Sequence, residues 1–234
     1  MKLADLHIHS MYSKEDSVSK FPLWKLKRMT VEAILKMAKK RGLSAIAIAD
    51  HDNIEASYQA EKLAEKNGLI IIPAIEVSTL DGHILAYGVK KNIKPKMNAR
   101  ATIEEIHRQG GLAVAAHPFS YKGLNAFYSL KRRKYVSLFS IDGVEIVSCV
   151  TNISRKAKNT AKIMNLCVVG GSDAHCLSAI GYGITVFPES CQTKEDYLRA
   201  LSERKTFAIK GKGGRLIILL RTIFDSRLRY LIGI

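Results

Sequence analysis

The chain has 234 residues, 47% of them hydrophobic and 25% charged. That is long enough to bury a substantial core, and it excludes a disulfide-stapled miniprotein and a disordered segment. The formal net charge of +16 suggests an anionic partner (a phosphorylated small molecule, a nucleic acid or an anionic lipid surface), the alternative being a solvated basic surface. The excess is uneven: Lys90 to Ser140 holds eleven basic and two acidic residues, and Lys210 to Ile234 six and one. Cys149, Cys167, Cys176 and Cys191 form no CxxC, and no run reaches the roughly twenty apolar residues of a membrane span. A cytoplasmic protein with reduced thiols and no transmembrane segment is expected.

Leu3 to Ile8 reads as a strand. Thr30 to Arg41 carries Val31, Ile34, Leu35 and Ala38 at helical spacing, with Thr30 as N-cap and Gly42 past the end. Leu43 to Ala49 is a buried-type strand, residues 53 or 54 to 67 a helix stopped by Gly68, and Leu69 to Val77 a strand. Further strands are predicted at His83 to Val89, Leu112 to Ala116, Ile141 to Val147 and Leu166 to Val169, with helices at Ala99 to Gln109 and Ser154 to Asn165. Repeated strand-then-helix units call for right-handed crossovers and a mostly parallel sheet, either a closed barrel or an open doubly wound one. This predicts one domain over residues 1–210. A tail over 211–234 carries Leu216, Leu219, Leu220, Ile223, Phe224, Leu228 and Leu231 on one helical side. Such a helix either docks on its own domain or meets a partner or a membrane surface.

Six of the seven histidines fall at or just beyond strand ends, beside acidic residues, Gly or Pro; His107 alone lies within a predicted helix and reads as structural. In Asp5-Leu6-His7-Ile8-His9-Ser10 the strand period of two puts both imidazoles on one side, either as a chelate or as a hydrogen-bonded pair. Asp50-His51-Asp52, Glu76, His83, His117-Pro118 and Gly171-Ser172-Asp173-Ala174-His175 occupy other strand ends. The carboxyl ends of parallel strands open on one face, so these groups would converge there, and divalent cations explain so many together. Asp5 and Asp50 are candidates for holding a ring tautomer behind the ligands.

This ordered set of motifs resembles the PHP (polymerase and histidinol phosphatase) domain, closest to its small stand-alone phosphoesterases, from the first residues to about Lys210. The resemblance implies a distorted (β/α)7 TIM-like barrel with a short C-terminal helical tail, and two or three divalent ions at the strand ends. His7, His9, Glu76 and Asp173 would hold one ion, with Glu76 bridging to a second held by His83 and His117. His51 and His175 would hold a third with a residue of the loop after His9, Asp16, with Glu15 as the alternative. Here the chain departs from the family pattern: Ser13-Lys14-Glu15-Asp16-Ser17 is one residue longer.

Mixed imidazole and carboxylate ligation suits Zn, Mn or Fe better than Mg. Such ions lower the pKa of water to about 7 and clamp the oxygens of a phosphoryl displacement. The expectation is a metal-dependent phosphoesterase whose metal-bound hydroxide attacks phosphorus. Glu76 takes a catalytic place as the bridging ligand, and His51 or His175 serves as proton donor if either is not wholly committed as a ligand. Arg155 and the Lys131-Arg132-Arg133-Lys134 run are candidates for holding spare phosphate charge, with a solvated surface as the plain alternative for both. The preferred partner is a phosphorylated metabolite or nucleotide. The competing readings are a nuclease trimming RNA or DNA ends and a non-catalytic scaffold in a nucleoprotein complex. An amidohydrolase-type barrel also begins with HxH, but no bridging lysine stands out.

Overall fold

A computed structural model describes residues 1–13, 29–64, 68–119, 140–149 and 152–211. Among these residues there are two sheets and five helices. The first sheet runs β11-β10-β1-β2-β3, with β1 at Lys2–Ile8, β2 at Ala45–Ile48, β3 at Ile70–Ile71, β10 at Gly183–Phe187 and β11 at Phe207–Lys210. The second runs β4-β5-β6-β7-β8, with β4 at Ala74–Thr79, β5 at Gly82–Tyr87, β6 at Leu112–Ala115, β7 at Gly143–Ser148 and β8 at Asn152–Ile153; β9, Cys167–Gly170, pairs with β7. The helices are α1 (Val31–Lys40), α2 (Glu55–Ala64), α3 (Ala99–Arg108), α4 (Arg155–Met164) and α5 (Lys194–Ser202).

Helix ends follow side-chain chemistry. Thr30, Asn98 and Ser154 each accept a backbone N–H three residues on, at the starts of α1, α3 and α4. Asn165 ends α4 in the left-handed conformation that its short amide tolerates. Thr193 and Asp196 form a reciprocal capping box at α5.

Three expectations change. The predicted strand Leu69 to Val77 divides into β3, which pairs with β2, and β4, which pairs with β5. Pro73 lies between them and has no N–H to donate to a ladder. The sheets are not mostly parallel, because β4–β5, β5–β6, β7–β8, β1–β10 and β10–β11 are antiparallel. Thr79 faces Gly82 across the β4–β5 ladder, so only Leu80 and Asp81 connect the strands. A parallel crossover needs about a dozen residues. Finally, among the described residues there is no continuous closed ladder. The sheets meet at single parallel bridges, His51 with Glu76 and Ile8 with Ala174, supported by Asp52 N–H to Glu76 O at 3.0 Å and His9 N–H to Ala174 O at 3.0 Å.

Both seams lie at the carboxyl ends of β1 and β2, where the histidines collect. An apolar interior lies between the sheets: Ala4, Leu6, Ala47, Leu85, Val114, Val169 and Phe187 pack there with Tyr197 and Leu201 of α5. Two outer clusters lie beneath α1 with α2 and beneath α3 with α4. β1 shows how the interior is reached. Leu3 and Ile8 share an outer cluster although five residues apart, because a register shift against β2 falls between Asp5 and Ile8. The irregularity resets the alternation and turns His7 and His9 inward with Ala4 and Leu6. The tail beyond residue 211, the Lys131 to Lys134 run, Glu15 and Asp16 lie outside the described residues.

Candidate metal centre

The widely spaced motifs meet around one carboxylate. Glu76 is fully buried on β4. Its Oε2 lies 3.1 Å from His7 Nε2, 3.1 Å from His9 Nε2 and 3.3 Å from His51 Nδ1. Its Oε1 lies 3.1 Å from both His83 Nδ1 and His117 Nε2. Asp173 adds Oδ1 at 3.1 Å from His9 Nε2 and 3.7 Å from His7 Nε2. His175 Nδ1 is 3.0 Å from the Asp173 carbonyl, and its ring stacks on that of His9 at 4.3 Å between centroids.

Three donor groups fall within 4.8 Å: His7, His9, Glu76 and Asp173; His51, Glu76 and His83; and His9, His51 and His175. His117 joins through Glu76 Oε1. The chemistry of this donor set fits divalent ions. Two nitrogens bound to one zinc at about 2.0–2.1 Å stand roughly 3.3 Å apart in a tetrahedron, and His7 Nε2 and His9 Nε2 are separated by 3.1 Å. Nδ1 of His117 is buried without a hydrogen-bond partner, an expensive state for a polar atom unless something else engages the ring. Backbone strain gathers here too, with His117 at φ 27° and Asp173 at φ 51°.

Electrostatics divides the cluster. Burial works against the charged forms of Glu76 and Asp173, yet the surrounding imidazoles, His7 foremost, hold both carboxyls well below their usual range. Burial likewise works against protonated His9, but hydrogen bonds to Asp173 and Glu76 win and raise it to about 9. His7 moves well up through Glu76, Glu145 and Asp173 against its own burial. For His51 and His175 burial prevails, lowering them to about 3 and about 4.

The groups behind the ligands differ from expectation. Asp5 holds no ring: it accepts backbone N–H groups of His7, Ser172 and Gly181 at 3.3, 2.8 and 2.7 Å. Asp50 accepts both N–H and hydroxyl of Ser10 at 2.5 Å. The ring nitrogens are met instead by Glu145, absent from the sequence reading, at 3.1 Å from His7 Nδ1, and by Ser13, named there only as part of the lengthened loop, with Oγ at 3.1 Å from His9 Nδ1. Arg155 is outside the cluster, the exposed first residue of α4, which begins just after β8. His107 pairs with Asp142 at 2.8 Å, away from the centre.

The PHP domain family model matches residues 5–167, and a PHP-associated model matches residues 154–206. The chain belongs to the PHP domain family. An uncharacterized protein of Methanocaldococcus jannaschii is 40% identical over 121 residues, 50% of this chain and 68% of the relative. A crystal structure from Bacteroides vulgatus, a two-domain protein containing a predicted PHP-like metal-dependent phosphoesterase, is similar at TM-score 0.72 and 20% identity, over 96% of this chain and 69% of that one. The lesion-specific endonuclease EndoQ of Pyrococcus furiosus is similar at TM-score 0.60 and 22% identity, over 86% of this chain and 56% of its own. At these identities the two structures share the fold.

Proposed function

We propose that the protein is a metal-dependent phosphoesterase that hydrolyses the phosphate ester of a small metabolite or nucleotide. One observation carries this reading: both oxygens of a single buried carboxylate, Glu76, are met by five imidazoles. On this reading His7, His9, Glu76 and Asp173 hold one divalent ion, Glu76, His83 and His117 a second, and His51 with His175 a third. Zn, Mn or Fe suits the donors. Bound ions would supply Lewis acidity toward a phosphoryl group and acidify water.

The chain's own residues do the rest. Glu76 sets the spacing between donor groups, and the apolar interior beneath the cluster keeps bulk water from its floor. Because burial keeps His51 and His175 neutral, both suit ligation better than proton donation. Asp16, with Glu15 as the alternative, would complete the third group. We also read β1, β2, β4, β5, β6, β7 and β9 as one distorted seven-stranded barrel whose seams are the two bridges, with residues 1–210 as the catalytic unit and 211–234 as an appended tail. The four free thiols suit a cytoplasmic setting, and among the described residues no helix is long and apolar enough to cross a membrane.

The test is phosphate release from a panel of phosphorylated metabolites and nucleotides by protein loaded with Mn or Zn. Turnover of at least one monoester is expected, and none from any phosphoester would refute the reading.

A nuclease trimming RNA or DNA ends is the second reading, favoured by one surface. Helix α4 presents Arg155, Lys156, Lys158 and Lys162 to solvent and contains no acidic residue; none of the four forms an ion pair among the described residues. Arg155, Lys158 and Lys162 share one helical face, and the fold likeness to EndoQ adds to the case. Cleavage of labelled oligonucleotides that falls steeply with salt would favour this reading. Salt-insensitive turnover of small phosphoesters alone would exclude it.

A further inference from the structure

Glu145 is a fully buried carboxylate on β7, and the proposed chemistry makes no use of it. It lies between Val144 and Ile146, both in an outer apolar cluster. Among the described residues no lysine or arginine pairs with it; its ion-pair partner is His7. Its two oxygens go to different places. Oε1 is 3.1 Å from His7 Nδ1, and Oε2 accepts the backbone N–H of His117 at 2.8 Å. The contact is built into the backbone. β1 carries a register shift between Asp5 and Ile8, and β7 one between Glu145 and Val147. At Gly171 an added Cβ would fall 2.7 Å from Glu145 Oε1 and collide with the His7 Cβ. Only glycine leaves the carboxylate and the imidazole room to meet.

An ionised carboxylate only accepts hydrogen bonds. Facing a carboxylate, His7 Nδ1 donates, so Nε2, which faces Glu76 and Asp173, is the nitrogen left to ligate an ion. Such a partner behind a ligating imidazole fixes tautomer and orientation. The other oxygen holds the N–H of His117, whose backbone is strained at φ 27° and whose Nδ1 has no hydrogen bond. Glu76 therefore joins the His7 group and the His117 group on the inner side of the cluster, and Glu145 joins the same two groups from behind.

We propose that Glu145 is a positioning residue that keeps the two donor groups of the centre in register, acting through the His7 tautomer and the His117 backbone. The inference rests on the reading of the cluster as a metal centre. It requires a carboxylate at this position, because both partners are donors. A glutamine of the same shape must turn its NH2 either toward the His117 N–H, leaving two donors opposed, or toward His7 Nδ1, moving the ring proton to Nε2 and removing the ligand lone pair.

The experiment is calorimetric titration of metal-free wild-type protein and the Glu145→Gln variant with Mn and Zn, alongside melting curves of the metal-free proteins. Wild type is expected to bind in at least two steps, and E145Q to bind about 10- to 100-fold more weakly in both. A merely structural role would lower the melting temperature and leave the metal affinities of the folded protein unchanged. Unchanged affinities, or a loss confined to one step, would overturn the proposal. Long-range 15N spectra of the zinc-loaded wild type provide a readout that needs no variant: the proton of His7 is expected on Nδ1, and a proton on Nε2 overturns the proposal. Failure of the metal-centre reading shows separately, as a wild-type protein that takes up no ions.

Discussion

The inner part of the cluster contains Glu76, the outer part reaches it only through His51, and the two differ in charge. His7, His9, Glu76 and Asp173 bring two carboxylates to two imidazoles, and the carboxylates raise both rings above the ordinary histidine value. His51 and His175 meet His9 in a group of three imidazoles with no carboxylate of its own, and burial lowers both. An acidic pocket attracts a dication before any ligand bond forms, whereas a neutral one depends on the ligand bonds alone. The inner group should fill first, and the outer one should need an added anionic ligand from the loop after Ser13 or from substrate.

The largest effect should come from the residue through which the two parts meet. Glu76→Gln removes the charge that all five imidazoles face, so ion binding in every group should fail together. Phosphate release should fall by about a thousandfold or more, the equivalent of roughly 4 kcal/mol of lost transition-state stabilisation. Metal analysis alongside the rate measurement checks this. An E76Q protein that keeps its full complement of ions would show that the groups are independent.

A smaller and more selective loss is expected in the outer part. His51→Ala or His175→Ala should cost one ion of the set and lower turnover by about 100-fold, with the inner ions retained. If Asp16 completes that group, Asp16→Ala should reproduce the loss while Glu15→Gln leaves turnover unchanged; if Glu15 does so, the two results exchange. Loss of all ions from H175A would erase the distinction between inner and outer.

Acidity separates the two parts further. In metal-free protein His9 holds its proton up to about pH 9, and His7 also titrates above its usual value, so an ion entering the inner group must displace protons. Inner-site affinity should therefore rise with pH between about 7 and 9. His51 and His175, lowered to about 3 and about 4, are already neutral there, so once the inner ion has displaced the His9 proton, outer-site affinity should stay flat. Folding stability of the metal-free protein carries the same signs. The His9 contribution is complete below about pH 6.5 and is lost as pH rises toward about 9. Protonation of His51 and His175 costs stability as pH falls from about 6.5 toward about 4. Zinc or manganese titrations at several pH values, with melting curves, measure both.

How much of this the sequence displays depends on where each residue sits. The imidazoles at strand ends are legible because each stands near an apolar run, most of them following it and His83 opening it, and the carboxyl ends of neighbouring strands share a face. Glu145 is not, because in Gly143-Val144-Glu145-Ile146-Val147-Ser148 a charged residue between apolar neighbours reads as the solvent side of an alternating strand. In the structure every residue of β7 is buried. Asp5 misleads in the opposite way. It is close in sequence to His7, but the carboxylate is spent on three backbone N–H groups that join β1 to the segment after β9. In the fold, the β4–β5 hairpin is implicit in its short connection, whereas β10, α5 and β11 lie beyond the last histidine motif, and β10 and β11 pair antiparallel instead of as a parallel crossover. α5 fills the interior with Tyr197 and Leu201, a tertiary role that its nine residues do not announce.

Ser13 should give the smallest effect, and it tests how the two parts are joined. Its hydroxyl lies 3.1 Å from His9 Nδ1, in the inner group, and accepts the backbone N–H of His51, in the outer one, at 3.0 Å. Ser13 thus stands to His9 as Glu145 stands to His7, with a neutral hydroxyl in place of a carboxylate. A hydroxyl can donate or accept, so it leaves the His9 tautomer less constrained and its loss costs less. Ser13→Ala should lower turnover by about fivefold, the worth of one neutral hydrogen bond of about 1 kcal/mol, with the number of bound ions unchanged. Steady-state rates at saturating metal measure it. A loss as large as that of H175A would mean that the hydroxyl, rather than the fold beneath it, holds the outer group against the inner one.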